Sequence, residues 1–123
     1  MAEQAAGTDP GSRGGLVIAD GVVERIATIA ASQVDGVVSV GWGLDHVLGH
    51  RYPRSTATVA GDRARLAVEV AVGWPHPLGH VCARVRDDVR SQVSRLTGIT
   101  VDTVDVTAAK VVPVAAPARS RVQ

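Results

Sequence analysis

The sequence predicts a small α+β domain, a two-layer sandwich in the order β-α-β-β-β-α-β with both helices packed on one face of a mixed sheet. Two amphipathic stretches each end on a glycine, and β-branched residues follow at once: Asp35-Gly36-Val37-Val38 and Thr97-Gly98-Ile99-Thr100-Val101. A glycine just past a helix can take the left-handed conformation that stops it, and branched residues favour extended chain. Between the two devices lies an alternating segment, Arg65-Leu66-Ala67-Val68-Glu69-Val70-Ala71-Val72, softened by Ala67 and Ala71 on its second face. Helix, stop and strand, used twice around a hairpin, specify the fold class.

Residues 1–14 are polar and Gly-rich, and are expected to be a disordered leader. Leu16-Val17-Ile18 reads as a short first strand. Asp20 is placed to cap the next helix, its carboxylate accepting bonds from free amides of the first turn. Val22, Ile26, Ile29, Ala30 and Val34 recur at helical spacing, with Glu24, Arg25, Thr28 and Ser32 on the wet side. Gly36 is expected to close this helix, and Val37 to Val40 to form a second strand. Residues 41–55, with both His46 and His50, read as a loop.

Thr56 to Ala60 and Ala64 to Val72 make two strands around a Gly61-Asp62 turn. In the longer strand Leu66, Val68, Val70 and Val72 share one face, while Arg65 and Glu69 lie on the other. Pro77 suits the start of a second helix, where its missing donor costs nothing. Leu78, Val81, Cys82, Val85, Val89, Val93 and Leu96 form the apolar stripe of that helix. Gly98 stops it, and Ile99 to Val106 returns as a strand. The structured domain is thus expected over residues 15–107, followed by a flexible Pro/Ala-rich tail over 108–123.

Composition limits the chemistry. At 123 residues the chain holds one domain, and with no Phe, one Tyr and two Trp its core must be aliphatic. A formal charge of +1 exerts little long-range pull on nucleic acid or anionic lipid. The single Cys82 cannot form an internal disulfide, which fits a reducing compartment. No apolar run approaches the roughly 20 residues that a membrane-spanning helix needs. The expected setting is the cytoplasm, without direct membrane insertion.

Several constellations have the residue types of a site. His46 and His50 are four apart, as are His76 and His80 with Cys82 close by, a spacing with which many zinc sites begin. Yet His76 precedes Pro77, which disfavours helical geometry there, and Cys82 belongs to the apolar stripe. Asp87-Asp88 are neighbours on a helix and diverge by about 100 degrees, so they cannot readily share a substrate. They are better read as partners of Arg84 and Arg90. The sequence has no Gly-x-Ser-x-Gly elbow and no phosphate-cradling Gly-x-x-x-x-Gly-Lys loop. No catalytic, cofactor or metal residue is assigned, and the expectation is a protein that is not an enzyme.

Arg51-Tyr52-Pro53-Arg54, with Arg84, Arg86, Arg90 and Arg95 of the second helix, supports the alternative of a small RNA-binding or other nucleic-acid-binding module. Acidic residues among those arginines weigh against it. A KH-type loop would need Gly-x-x-Gly between two helices, and Gly11-Ser12-Arg13-Gly14 lies in the leader. Trp42 and Trp74 each end an expected strand, where packing over the rim of the core is favoured over interface use.

One longer pattern carries further. Gly15-Leu16-Val17-Ile18-Ala19-Asp20-Gly21-Val22-Val23-Glu24-Arg25-Ile26-Ala27, with Ala30-Ala31-Ser32-Gln33-Val34-Asp35-Gly36-Val37, forms the first half. Val81 to Val93, Leu96-Thr97-Gly98-Ile99 and Val104-Asp105-Val106 form the second. In this order they resemble the alkaline shock protein family, the Gls-type envelope stress response proteins of Gram-positive bacteria. The Arg, Ala and Val bias suggests an actinobacterial member. The resemblance implies a non-enzymatic, cytoplasmic stress response protein that works by protein-protein association. Its partners would be itself, as a homo-oligomer, or a membrane-anchored family partner that holds it near the membrane. It supplies no site residue, and the 41–55 loop and the tail depart from the family pattern. Self-association is expected on the open face of the sheet or at an edge strand.

Overall fold

The alternating segment becomes the spine of the sheet. In the computed structural model, which describes residues 18–41 and 51–114, the elements are α1 (Asp20–Ser32), β1 (Val37–Val38), β2 (Arg54–Ala60), β3 (Arg63–Trp74), α2 (Leu78–Thr97) and β4 (Thr100–Pro113). Strand β3 carries Leu66, Val68, Val70 and Val72 into the core, each 2% exposed or less. From it β2 folds back antiparallel through Gly61-Asp62, where Gly61 takes φ +63°. β1 pairs antiparallel with Ala71 and Val72, so β1 and β2 share one edge of β3 end to end. β4 runs parallel along the other edge from Thr100 to Pro113. The sheet is mixed, as the sequence predicts.

Both helices cover one face. α1 lies over β2, α2 lies over β4, and the two pack against each other. The buried stripe of α2 is Val81, Val85, Val89 and Val93, one residue every four. α1 buries Val23, Ala27, Ala30 and Ala31, whose small side chains let the helices approach closely. Burying each valine stabilises the fold by roughly 1.5 kcal/mol. Among the described residues the core contains no aromatic side chain.

β1 stops at Val38 rather than Val40, β2 starts at Arg54 inside the expected 41–55 loop, and β3 extends to Arg63 and Trp74. Four further differences have physical reasons. Leu16 and Val17 lie outside the described residues, and Ile18 is not in a strand. The Ala19 carbonyl already accepts the amides of Val22 and Val23, so the chain enters the helix there. Ala19 is also the cap position, without a side-chain cap bond, so Asp20 is not the cap. Nor does Gly36 close α1. The helix ends at Ser32 with Gln33 still right-handed, and Gly36 (φ +96°) instead turns the chain into β1. Gly98 does stop α2: it is left-handed at φ +76°, and its amide donates to the Ser94 carbonyl at 2.9 Å.

The fourth difference is the length of β4. Residues 108–113, expected to belong to the tail, continue the strand and pair with Val70 to Trp74. Ala108-Ala109-Lys110 shows no alternation to announce a strand. The ladder is imposed by the backbone groups of the second half of β3, which need partners. The expected leader over 1–14 and the tail beyond 114 lie outside the described residues.

Candidate functional site

Each exposed surface of the sandwich has its own chemistry. At the β2 edge, α1 turns one polar stripe toward the strand. The Val59 amide donates to Asp20 Oδ1 at 3.0 Å and the Ala57 amide to Glu24 Oε2 at 2.9 Å. Thr28 Oγ1 donates to Ser55 Oγ at 3.0 Å. Four helical residues rise about 6 Å and two strand residues about 6.8 Å, so the repeats stay in step over three contacts. The outer rim of β2 is thereby occupied from within. An edge treated this way does not template pairing with another chain.

The face of the sheet opposite the helices is polar. Thr56, Thr58, Arg65, Thr103 and Asp105 line its shallow centre. Arg54 pairs with Glu69 across β2 and β3 at 3.3 Å. At the start of β4, Arg63 Nε donates to Asp102 Oδ2 at 3.1 Å, and the pair is bidentate through Nη2 and Oδ1. That contact holds the Asp102 carboxyl below the usual carboxylate range.

The sequence candidates are scattered. His46, His50 and Trp42 lie outside the described residues. His76 sits in the turn before α2 and packs over Gly36, its Cγ 3.0 Å from where a Cβ on that glycine would stand. His80 is exposed in the first turn of α2, and Cys82 is half-buried. Burial pushes the Cys82 thiol up, opposed by the nearby Arg86 charge. Among the described residues, no three of His, Cys, Asp and Glu come together as a metal site would require. Asp88 pairs with Arg84 at 4.0 Å, one turn away, as the bland reading of that helix face expects.

The arginines of the nucleic-acid alternative do not converge. Arg51 and Arg54 line an open groove of about 590 Å³ with Glu24, Arg25 and Pro53, on the β2 side. Arg84, Arg86, Arg90 and Arg95 belong to α2, which lies over β4 at the other edge. Arg90 Nη2 reaches the Asp102 carbonyl at 3.4 Å, and Arg95 Nη2 donates to Gln92 at 2.7 Å. No continuous basic track joins the two groups among the described residues.

The exposed apolar side chains are where composition gives no warning of them. Trp74 is 64% exposed, so it does not pack over the core rim as the sequence suggested. It shares a side of β3 with Val72, but α2 begins only at Leu78, and the helical layer has not yet started above it. Its carbonyl accepts the Val114 amide at 3.2 Å. Val111, nearly half exposed, pairs with Val72 and lies on the same side of the sheet as the indole, whereas the Val114 side chain lies over Gly73 on the opposite side. A second apolar strip lies between the helices, where Ile26, Ile29, Ala30 and Leu96 line a shallow groove. Ile29 is 52% and Leu96 62% exposed. No helix among the described residues is long and apolar enough to cross a membrane.

Comparison with known proteins separates fold from family. A zinc form of a MamM CTD variant is similar in structure with a TM-score of 0.50 at 15% identity, covering 76% of this chain and 87% of that one. A manganese form of another MamM CTD variant has a TM-score of 0.46 at 14% identity, covering 73% and 96%. At these identities the likeness is one of fold alone. No sequence among curated proteins matches the chain. A family model does, over residues 8–113, which takes in both helices and all four strands. That match agrees with the resemblance read from the two halves of the sequence, and the chain belongs to the alkaline shock protein 23 family, described as having a cell envelope-related function.

Proposed function

We propose that this protein is a non-enzymatic envelope stress response protein that acts in the cytoplasm by self-association or by docking on other proteins, and is held near the membrane through a partner. The observation that supports this reading is the surface around Trp74. An indole 64% exposed, on the same side of the sheet as the nearly half-exposed Val111, is an anchor of the kind that dominates protein interfaces. The rest of the molecule suits a carrier of surfaces: a tightly packed aliphatic core, one face polar, one edge sealed.

Photo-crosslinking in cells tests the reading. A photoreactive residue at position 74 should trap a protein, either another copy or an envelope-associated partner, whereas the same residue at exposed Gly79 should trap much less. Equal labelling at both positions, or recovery of RNA instead of protein, would count against it.

A further inference from the structure

The two long edges of the sheet are treated differently, and the difference points to one of them as a pairing surface. The rim of β2 is sealed by Asp20, Glu24 and Thr28 from α1. Among the described residues β4 has only Arg90, which reaches the carbonyl of Asp102 near the strand start. From Thr103 to Pro113 no described element bonds to the outer rim of β4. A long strand with one unpaired rim is a template for another strand.

The side chains along that rim favour a second copy of the same strand. A break in register beside Ala109 places Asp105, Thr107 and Lys110 on the open face, opposite Ala67, Glu69 and Ala71 of β3. All three are exposed, and neither Asp105 nor Lys110 has an ion-pair partner among the described residues. An antiparallel twofold pairing centred on Thr107 puts Asp105 of each copy beside Lys110 of the other, with Ala109 bulged out. The same register sets Val111, nearly half exposed, opposite Val104 of the second copy, which is 5% exposed and already part of its own core. Two opposite-charge pairs follow from one alignment.

Resting on the self-association reading above, we infer that β4 pairs antiparallel with β4 of a second copy about a twofold axis at Thr107, joining two four-stranded sheets into one. Specificity comes from the reciprocal Asp105–Lys110 contacts, since like charges directly opposite each other on paired strands are destabilising. A slip by one residue would move those side chains to the wrong face.

The test uses the full chain. Light scattering should give a dimer for the native protein. Asp105→Lys and Lys110→Asp should each weaken it about tenfold, and the double exchange should restore it, because reversing both charges re-forms the pair. In a Cys82→Ala background, Thr107→Cys should cross-link to itself on mild oxidation, as directly paired strand residues stand within disulfide reach. Thr58→Cys, on the same face but away from the rim, should not. Circular dichroism checks that each variant is folded. A folded native chain that stays monomeric to millimolar concentration overturns both this pairing and self-association. A dimer indifferent to the charge exchanges, and not trapped by Thr107→Cys, overturns the pairing alone and leaves self-association standing.

Discussion

Glu24 accepts the backbone amide of Ala57 at 2.9 Å, which ties the middle of α1 to the outer rim of β2. The carboxylate serves a donor that an edge strand would otherwise leave to water or to another chain. Glu24→Ala removes that acceptor in a half-buried setting and should cost about 1–2 kcal/mol. Glu24→Gln keeps an acceptor oxygen of nearly the same shape and should cost well under half of that. Urea unfolding of the two variants checks the ordering. Equal losses would mean that packing of the side chain, rather than the bond to Ala57, accounts for the effect.

The glycines should respond to alanine in a set order. A Cβ on Gly36 would stand 2.8 Å from Val81 Cγ2, at a residue already held at φ +96°. Strain and overlap act together there, and Gly36→Ala should destabilise by about 2–4 kcal/mol. Gly61 has φ +63° with nothing within 4 Å, so Gly61→Ala should cost the strain alone, about 1 kcal/mol. Gly79 sits in α2 with open space around it, and Gly79→Ala should stabilise by about 0.5 kcal/mol. Thermal unfolding of the three variants reads out the series. A neutral Gly36→Ala would show that the turn before β1 can relax.

The dependence on acid should carry the mark of Arg63 and Asp102. The hydrogen bond from Arg63 holds the folded Asp102 carboxyl below its ordinary value. Its contribution is therefore complete above the unfolded value, near 3.9, and is lost as pH falls through the folded value. Native protein and Asp102→Asn should differ most near neutrality and converge in acid below about pH 4. Both groups are partly open to solvent, so added salt should shrink the difference. Denaturant midpoints measured across pH at two ionic strengths check both statements. A gap that persists in acid would assign the effect to packing.

What was legible in the sequence was periodic, and what was not depended on distant partners. Val81, Val85, Val89 and Val93 announce α2 by their spacing, and Leu66, Val68, Val70 and Val72 announce the buried face of β3 by theirs. Gly61-Asp62 announces the hairpin. Asp20 and Glu24 look like a cap and a solvated side chain, because their acceptor roles involve strand residues 39 and 33 positions away. No local pattern encodes such a contact. The second half of β4 is hidden for a related reason: Ala108 to Pro113 is ordered by the ladder with β3 rather than by its own alternation. Trp74 misleads through its place at a strand end, where the rule expects a core beneath it. The core stops short because α2 starts four residues later.

That exposure separates two uses of Trp74. If the indole mainly packed on the fold, shortening it would lower stability by about 3–5 kcal/mol, as for buried tryptophans. At 64% exposed it should do far less, and Trp74→Ser should leave the unfolding free energy within about 1 kcal/mol of native. The same change should strongly reduce recovery of whatever protein the native chain captures through this end, because an exposed aromatic anchor is costly to lose from an interface. Urea unfolding and co-purification on one preparation give both readings together. Iodide quenching in a Trp42→Phe background should show the remaining indole open to solvent when the chain is alone and shielded once a partner is bound. A large loss of stability without loss of capture would return Trp74 to a structural role.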